Sequence, residues 1–142
     1  MMVILKWVTT VLLTFPKYSF FSEKGYKLTK SYTSARTFLG LGKYASYKDF
    51  GEESWKIGYG SVELHGHALT AKDKATQEEI DKQFFLDLKE FSEKLKDYVF
   101  VNLNINRRAA ILSFAHSIGI QSFKNCKLLE LINSYSSKTK II

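Results

Sequence analysis

A chain of 142 residues and 16.3 kDa holds one domain, or two small lobes sharing an element, and excludes two independent cores. With 45% hydrophobic and 15% aromatic residues and a single proline, it is not a disordered chain. The formal charge of +7 suits a polyanionic partner, but the lysines are scattered and carry neither an RNP-type aromatic motif nor zinc-finger spacing, so nucleic acid lacks a recognition element.

In chain order, residues 3–15 are apolar apart from Lys6 and three threonines and stop at Pro16. That run is too short for a transmembrane span, which needs about 18 to 20 apolar residues. It also lacks the basic start and small-residue cleavage site of a secretory signal. A buried strand or helix, a weak export segment or a surface that docks on a partner remain, the first and third being favoured. Residues 18–44 are rich in Ser, Thr, Lys, Gly and Tyr and read as irregular connection with one short helix over residues 34–39.

Trp55, Ile57 and Tyr59 alternate with Lys56, Gly58 and Gly60, which predicts a half-buried strand over residues 55–64 after a turn at 50–54. His65 and His67 would share one side if that strand continued, a spacing that can seat a metal, but no third ligand accompanies them and no cofactor is expected. Thr76 and Glu79 form a capping box, and Ile80, Phe84, Leu88, Phe91, Leu95 and Tyr98 follow at helical spacing. The predicted helix is roughly 33 Å long, enough to bridge two lobes.

A second, buried helix is expected over residues 106–117, with Gly119 as its cap. A third begins at Ser122 and places Phe123, Cys126, Leu129 and Ile132 on one face. Cys126 reads as a small core residue, because a reactive thiol needs a base and nothing places His116 beside it. The fold class is α+β, a small sheet ahead of a helical lobe.

The order Tyr47-Lys48-Asp49, a short turn, Ile57-Gly58-Tyr59-Gly60, a long helix, then Arg107-Arg108-Ala109 opening an Ala-containing helix that ends at Gly119 resembles the phage-type lysozymes of glycoside hydrolase family 24. The resemblance covers roughly residues 38–133. It implies a lysozyme-like fold, an antiparallel hairpin lobe joined by a long helix to a helical lobe. Residues 1–37 would then be an N-terminal extension and 38–142 the domain, whose usual C-terminal closing segment is missing. Apolar surface left open there would be covered by the N-terminal stretch or by a neighbouring subunit.

The resemblance also implies hydrolysis of the bond between N-acetylmuramic acid and N-acetylglucosamine in peptidoglycan. Inversion needs a protonated acid beside the leaving oxygen and an ionised carboxylate holding water on the other face. Asp49 occupies the ionised position. At the family's Glu-Gly this chain has Leu39-Gly40, and Lys56 replaces the strand threonine. Glu23, in a segment that faintly echoes the acid-bearing one, is the stand-in acid; Tyr47, Lys56, Tyr59 and His65 are the candidate substrate contacts.

Two readings follow: an active muramidase, or a catalytically inactive lysozyme-like component of a virion that binds cell wall or other virion proteins, or self-associates. Either implies a phage particle or the infected-cell envelope and periplasm as the place of action, after synthesis in the host cytoplasm.

Overall fold

In the computed structural model of the protein, residues 19–139 are described; the apolar run 3–15 lies outside them. Helix α1, Glu23–Ser31, starts where the Ser22 hydroxyl accepts the Gly25 amide at 3.0 Å, and Glu23 and Lys27 pair one turn apart at 2.7 Å. Gly25, Tyr26 and Thr29 are its buried residues. This helix lies where irregular connection was expected, and the helix expected over 34–39 is absent. Thr37, Gly40, Leu41 and Gly42 all take positive φ, 63°, 89°, 53° and 72°, which a right-handed helix does not allow.

The chain there forms an antiparallel hairpin instead, β1 Phe38–Gly40 against β2 Lys43–Ala45. β2 also pairs with β5, Lys74–Thr76, giving a sheet in the order β1-β2-β5. A second small hairpin joins β3, Glu63–Leu64, to β4, His67–Ala68, through His65 and Gly66 at φ 54° and 82°, the left-handed pair a two-residue turn needs.

No continuous strand runs over residues 55–64; only its end, β3, is strand. Lys56 bridges Tyr47 and Ile57 bridges Ser61, then Gly58 and Gly60 at φ 61° and 102° reverse the chain. The sidedness of the alternation is present all the same. Ile57 is fully buried in a cluster with Leu64, Leu69, Ala75 and Ile80, and Trp55 and Tyr59 pack against it half-buried. At Gly58 a Cβ would stand 2.6 Å from Cβ of Ile80, so both the backbone conformation and the space demand glycine.

Helix α2, Gln77–Leu95, opens with the expected capping box: the Thr76 amide donates to Glu79 at 3.0 Å and the Glu79 amide to the Thr76 hydroxyl at 3.1 Å. Its 19 residues span about 28 Å. The chain divides into two compact units. The sheet unit is Thr33–Asp87; the helical unit takes the described residues up to Tyr32 and those from Leu88 onward, so the boundary falls inside α2.

Within the helical unit, α1 packs on α3, Ile105–Ile118, where the absent side chain of Gly25 admits Leu112. Asn104 caps α3 by accepting the Arg107 amide at 2.9 Å, and Gly119 ends it. The single helix expected from Ser122 is two, α4 Ile120–Lys124 and α5 Lys127–Thr139. The break comes where the Cys126 sulfur accepts the Leu129 amide at 3.4 Å, so the half-buried cysteine acts at a helix start. An apolar groove of about 550 Å³ opens in this unit, lined by Leu103, Ala110, Ile111, Phe114, Leu128 and Ile132 with Arg107.

Candidate functional site

Asp49 follows the segment whose Tyr47 amide and carbonyl exchange hydrogen bonds with Lys56 at 2.8 and 2.7 Å. That exchange sets the two residues side by side and turns the carboxylate toward two cations. Nη1 of Arg36 donates to Oδ1 of Asp49 at 2.7 Å, and Nζ of Lys56 approaches Oδ2 at 3.4 Å. Lys56 is closer to Glu52, at 2.7 Å, so Arg36, Asp49, Lys56 and Glu52 form one chain of alternating charge.

The hydrogen bond from Arg36 lowers the Asp49 carboxyl from its ordinary value; desolvation opposes it, and Lys56 adds to the lowering. Glu52 and then Asp49 push the Lys56 ammonium above its ordinary value, so it remains charged. Both cations thus favour the anionic form of Asp49. That is the state required of the carboxylate that holds water, and the opposite of the state required of a general acid.

Arg36 was not among the residues singled out from sequence. Its amide donates to the Gly58 carbonyl at 3.0 Å, and its guanidinium lies 4.2 Å from the centre of the Tyr47 ring. The available signal was charge alone: between Lys24 and Lys48 the chain contains basic residues and no Asp or Glu, so an arginine near Asp49 had no closer acidic neighbour in that stretch.

The other candidates separate. Tyr47 and Lys56 are joined to Asp49 as described. Tyr59 is turned to α2: its hydroxyl donates to Asp81 at 2.9 Å and accepts from Gln77 at 3.1 Å, and its ring packs on Phe84 at 5.1 Å. Burial and the adjacent Asp81 carboxylate push its phenol well above the ordinary value. His65 sits in the β3–β4 turn rather than on a strand, with its Nε2 against Glu79. Among the described residues no group of three His, Cys, Asp or Glu could hold a metal. Glu23 belongs to the helical unit, exposed at the start of α1 and paired with Lys27. Leu39 lies on β1 and is half exposed.

Solved structures of lysozyme type share this fold. An endolysin from Escherichia coli O157:H7 phage FAHEc1 matches with a TM-score of 0.64 at 21% identity, over 82% of this chain and 68% of that one. The muramidase domain of SpmX from Asticaccaulis excentricus matches with a TM-score of 0.64 at 25% identity, over 84% and 73%. A mutant lysozyme of phage P22 gives 0.61 at 22%, over 81% and 74%.

Nothing among curated proteins matches the sequence. The phage lysozyme family model matches residues 37–141, and the chain belongs to that family. Its function is accordingly lysozyme-like, on the α+β fold expected from sequence. Among the described residues no helix is long and apolar enough to cross a membrane.

Proposed function

We propose that the protein acts on bacterial peptidoglycan at the bond between N-acetylmuramic acid and N-acetylglucosamine, with Asp49 as the ionised carboxylate that holds the attacking water. The observation that carries this reading is Asp49 itself: it stands two residues after Tyr47, at the family's ionised position, and Arg36 keeps it anionic. Tyr47 and Lys56 flank it and would meet the glycan first, with Tyr59 and His65 further contacts on the same unit.

Glu23 is the carboxyl proposed for the acid role. It is exposed and paired with Lys27 at 2.7 Å, so bound substrate would have to displace that lysine to reach it. Place of action would be the envelope of an infected cell or a phage particle.

Clearing of a wall suspension tests the reading. Asp49→Asn is expected to lower the rate by at least about 100-fold with the fold intact, and Glu23→Gln by a similar factor. Absence of clearing by the unaltered chain from about pH 4 to pH 8 would overturn it, since that window covers the working range of a carboxyl pair.

A second reading is favoured by one specific feature: Leu39 and Lys56 stand at two of the family's three reacting positions, and no Asp or Glu lies between Lys24 and Lys48. Under it the chain grips peptidoglycan without cutting it, as a virion part working with other virion proteins or with itself. Co-sedimentation with insoluble wall in the absence of released reducing ends would establish that reading over the first.

A further inference from the structure

We infer that Arg36 positions Asp49, and that Tyr47 seats the Arg36 guanidinium on one face of its ring. The consequence for turnover rests on the lysozyme reading; the geometry does not.

Arg36 is fixed at both ends. Its amide bonds to the carbonyl of Gly58 at 3.0 Å, on a turn that the core holds through Ile80. Its guanidinium lies 4.2 Å from the centre of the Tyr47 ring and reaches Asp49 at 2.7 Å. A planar guanidinium laid on an aromatic face loses little further freedom when it bonds a carboxylate, so it dictates where that carboxylate points.

Lys56, the other cation facing Asp49, is built differently. It stands 3.4 Å from Asp49 but 2.7 Å from Glu52, and an ammonium on a flexible stem sets charge without setting a plane. The groups facing the Asp49 carboxylate are therefore Arg36 and Lys56, with the Tyr47 hydroxyl close enough to affect it and Glu52 acting through Lys56. Of the two cations, Lys56 is drawn to Glu52, whereas the Arg36 guanidinium is seated on a ring and bonds Asp49 at the shorter distance.

The arrangement makes Tyr47 and Arg36 one functional pair. Removing the ring should release the guanidinium and loosen Asp49 much as removing the guanidinium does. Removing only the phenol oxygen should have a smaller effect, since the ring face stays while the hydroxyl's bond to Arg36 is lost.

Carbon-detected NMR titration of the Asp49 carboxyl in the full chain reads this directly, without reference to hydrolysis. Arg36→Gln is expected to raise the pH at which Asp49 protonates into the ordinary carboxylate range, and Lys56→Gln to raise it less. Tyr47→Ala should follow Arg36→Gln; Tyr47→Phe, which keeps the ring but loses the hydroxyl that also bonds Arg36, should move it less than Tyr47→Ala; and Arg36→Lys should fall between. The Arg36 side chain is about half exposed, at 55%, so these variants are expected to fold, and an amide fingerprint spectrum checks that they have.

In a wall-clearing assay Arg36→Gln should cut kcat by about tenfold or more with a smaller change in KM, the signature of a displaced carboxylate rather than lost binding. The acidic limb of the rate profile should move with the NMR titration. An Asp49 titration unmoved in Arg36→Gln, or moved further by Lys56→Gln, overturns the inference. A chain that clears no wall yet shows the expected titrations refutes the catalytic reading and leaves the positioning role standing.

Discussion

In the helical unit, Leu112, Ala115 and Phe123 are removed from solvent entirely and long helices carry their own backbone hydrogen bonds. In the sheet unit no described strand exceeds three residues, and much of the chain is held by reversals at glycines, isolated bridges and polar side chains bonded to one another. Tyr59, Asp81, Gln77 and Tyr44 form one such network, and Ser61, Gln83 and Asp87 another. Apolar burial tolerates small errors of position, whereas hydrogen-bonded turns fix atoms to within a bond's tolerance. The carboxylate that needs an exact partner is on the second kind of scaffold.

Mutations should separate the two. Leu112→Ala is expected to give the largest loss, about 2–5 kcal/mol by denaturant unfolding, because a fully buried leucine leaves a cavity against α1. Gly58→Ala should cost roughly 2–4 kcal/mol, a sum of backbone strain at positive φ and the overlap with Ile80. If it costs nothing, the turn is not fixed as described. Tyr59→Phe should cost about 1–3 kcal/mol, since it leaves the buried Asp81 short of a donor. Asn104→Ala, a cap on α3, should cost only about 1 kcal/mol.

Acid gives the mildest and most diagnostic contrast. Asp49 is held below its ordinary value by Arg36, and Asp73 by the Thr70 amide; for Glu79, burial pulls upward but the Thr76 amide and His65 prevail and lower it. All three lie in the sheet unit. A carboxyl whose folded value is depressed contributes stability above its unfolded value, and that contribution is lost as pH falls through the folded one. Hydrogen exchange should therefore speed up in Thr33–Asp87 before it does in the helices as pH drops below the usual carboxylate range. Simultaneous opening of both units would contradict the contrast.

What could be read in advance followed the same division. The capping box at Thr76 and Glu79 and the helix expected over residues 106–117 declare themselves locally, through a cap and a dense run of apolar residues ending at Gly119, and both are present, the helix as Ile105–Ile118. Asp49 could be named as a candidate because its place relative to Tyr47 is fixed by a short stretch of chain. Helix α1 was missed because it buries only Gly25, Tyr26 and Thr29, too few apolar positions to show a period, and Thr29 is satisfied by the Gly25 carbonyl at 2.7 Å. The alternation from Trp55 suggested a strand, but period-two burial needs only three correctly facing residues, and Gly58 turns the chain after Ile57. Arg36 could not be found by spacing at all, since what joins it to Asp49 is a bridge to Gly58 and a stack on Tyr47.

The division of the chain also bears on the order in which it can fold. The sheet unit is a continuous run, Thr33–Asp87, so every residue it needs has been synthesised once the first half of α2 has been made. The helical unit is interrupted: α1 is made first, yet the α3 residues it packs against come only after the whole sheet unit has passed. On the ribosome the site around Asp49 can take shape while α1 still has no partner, and closure of the helical unit across that long separation is the slower, later event.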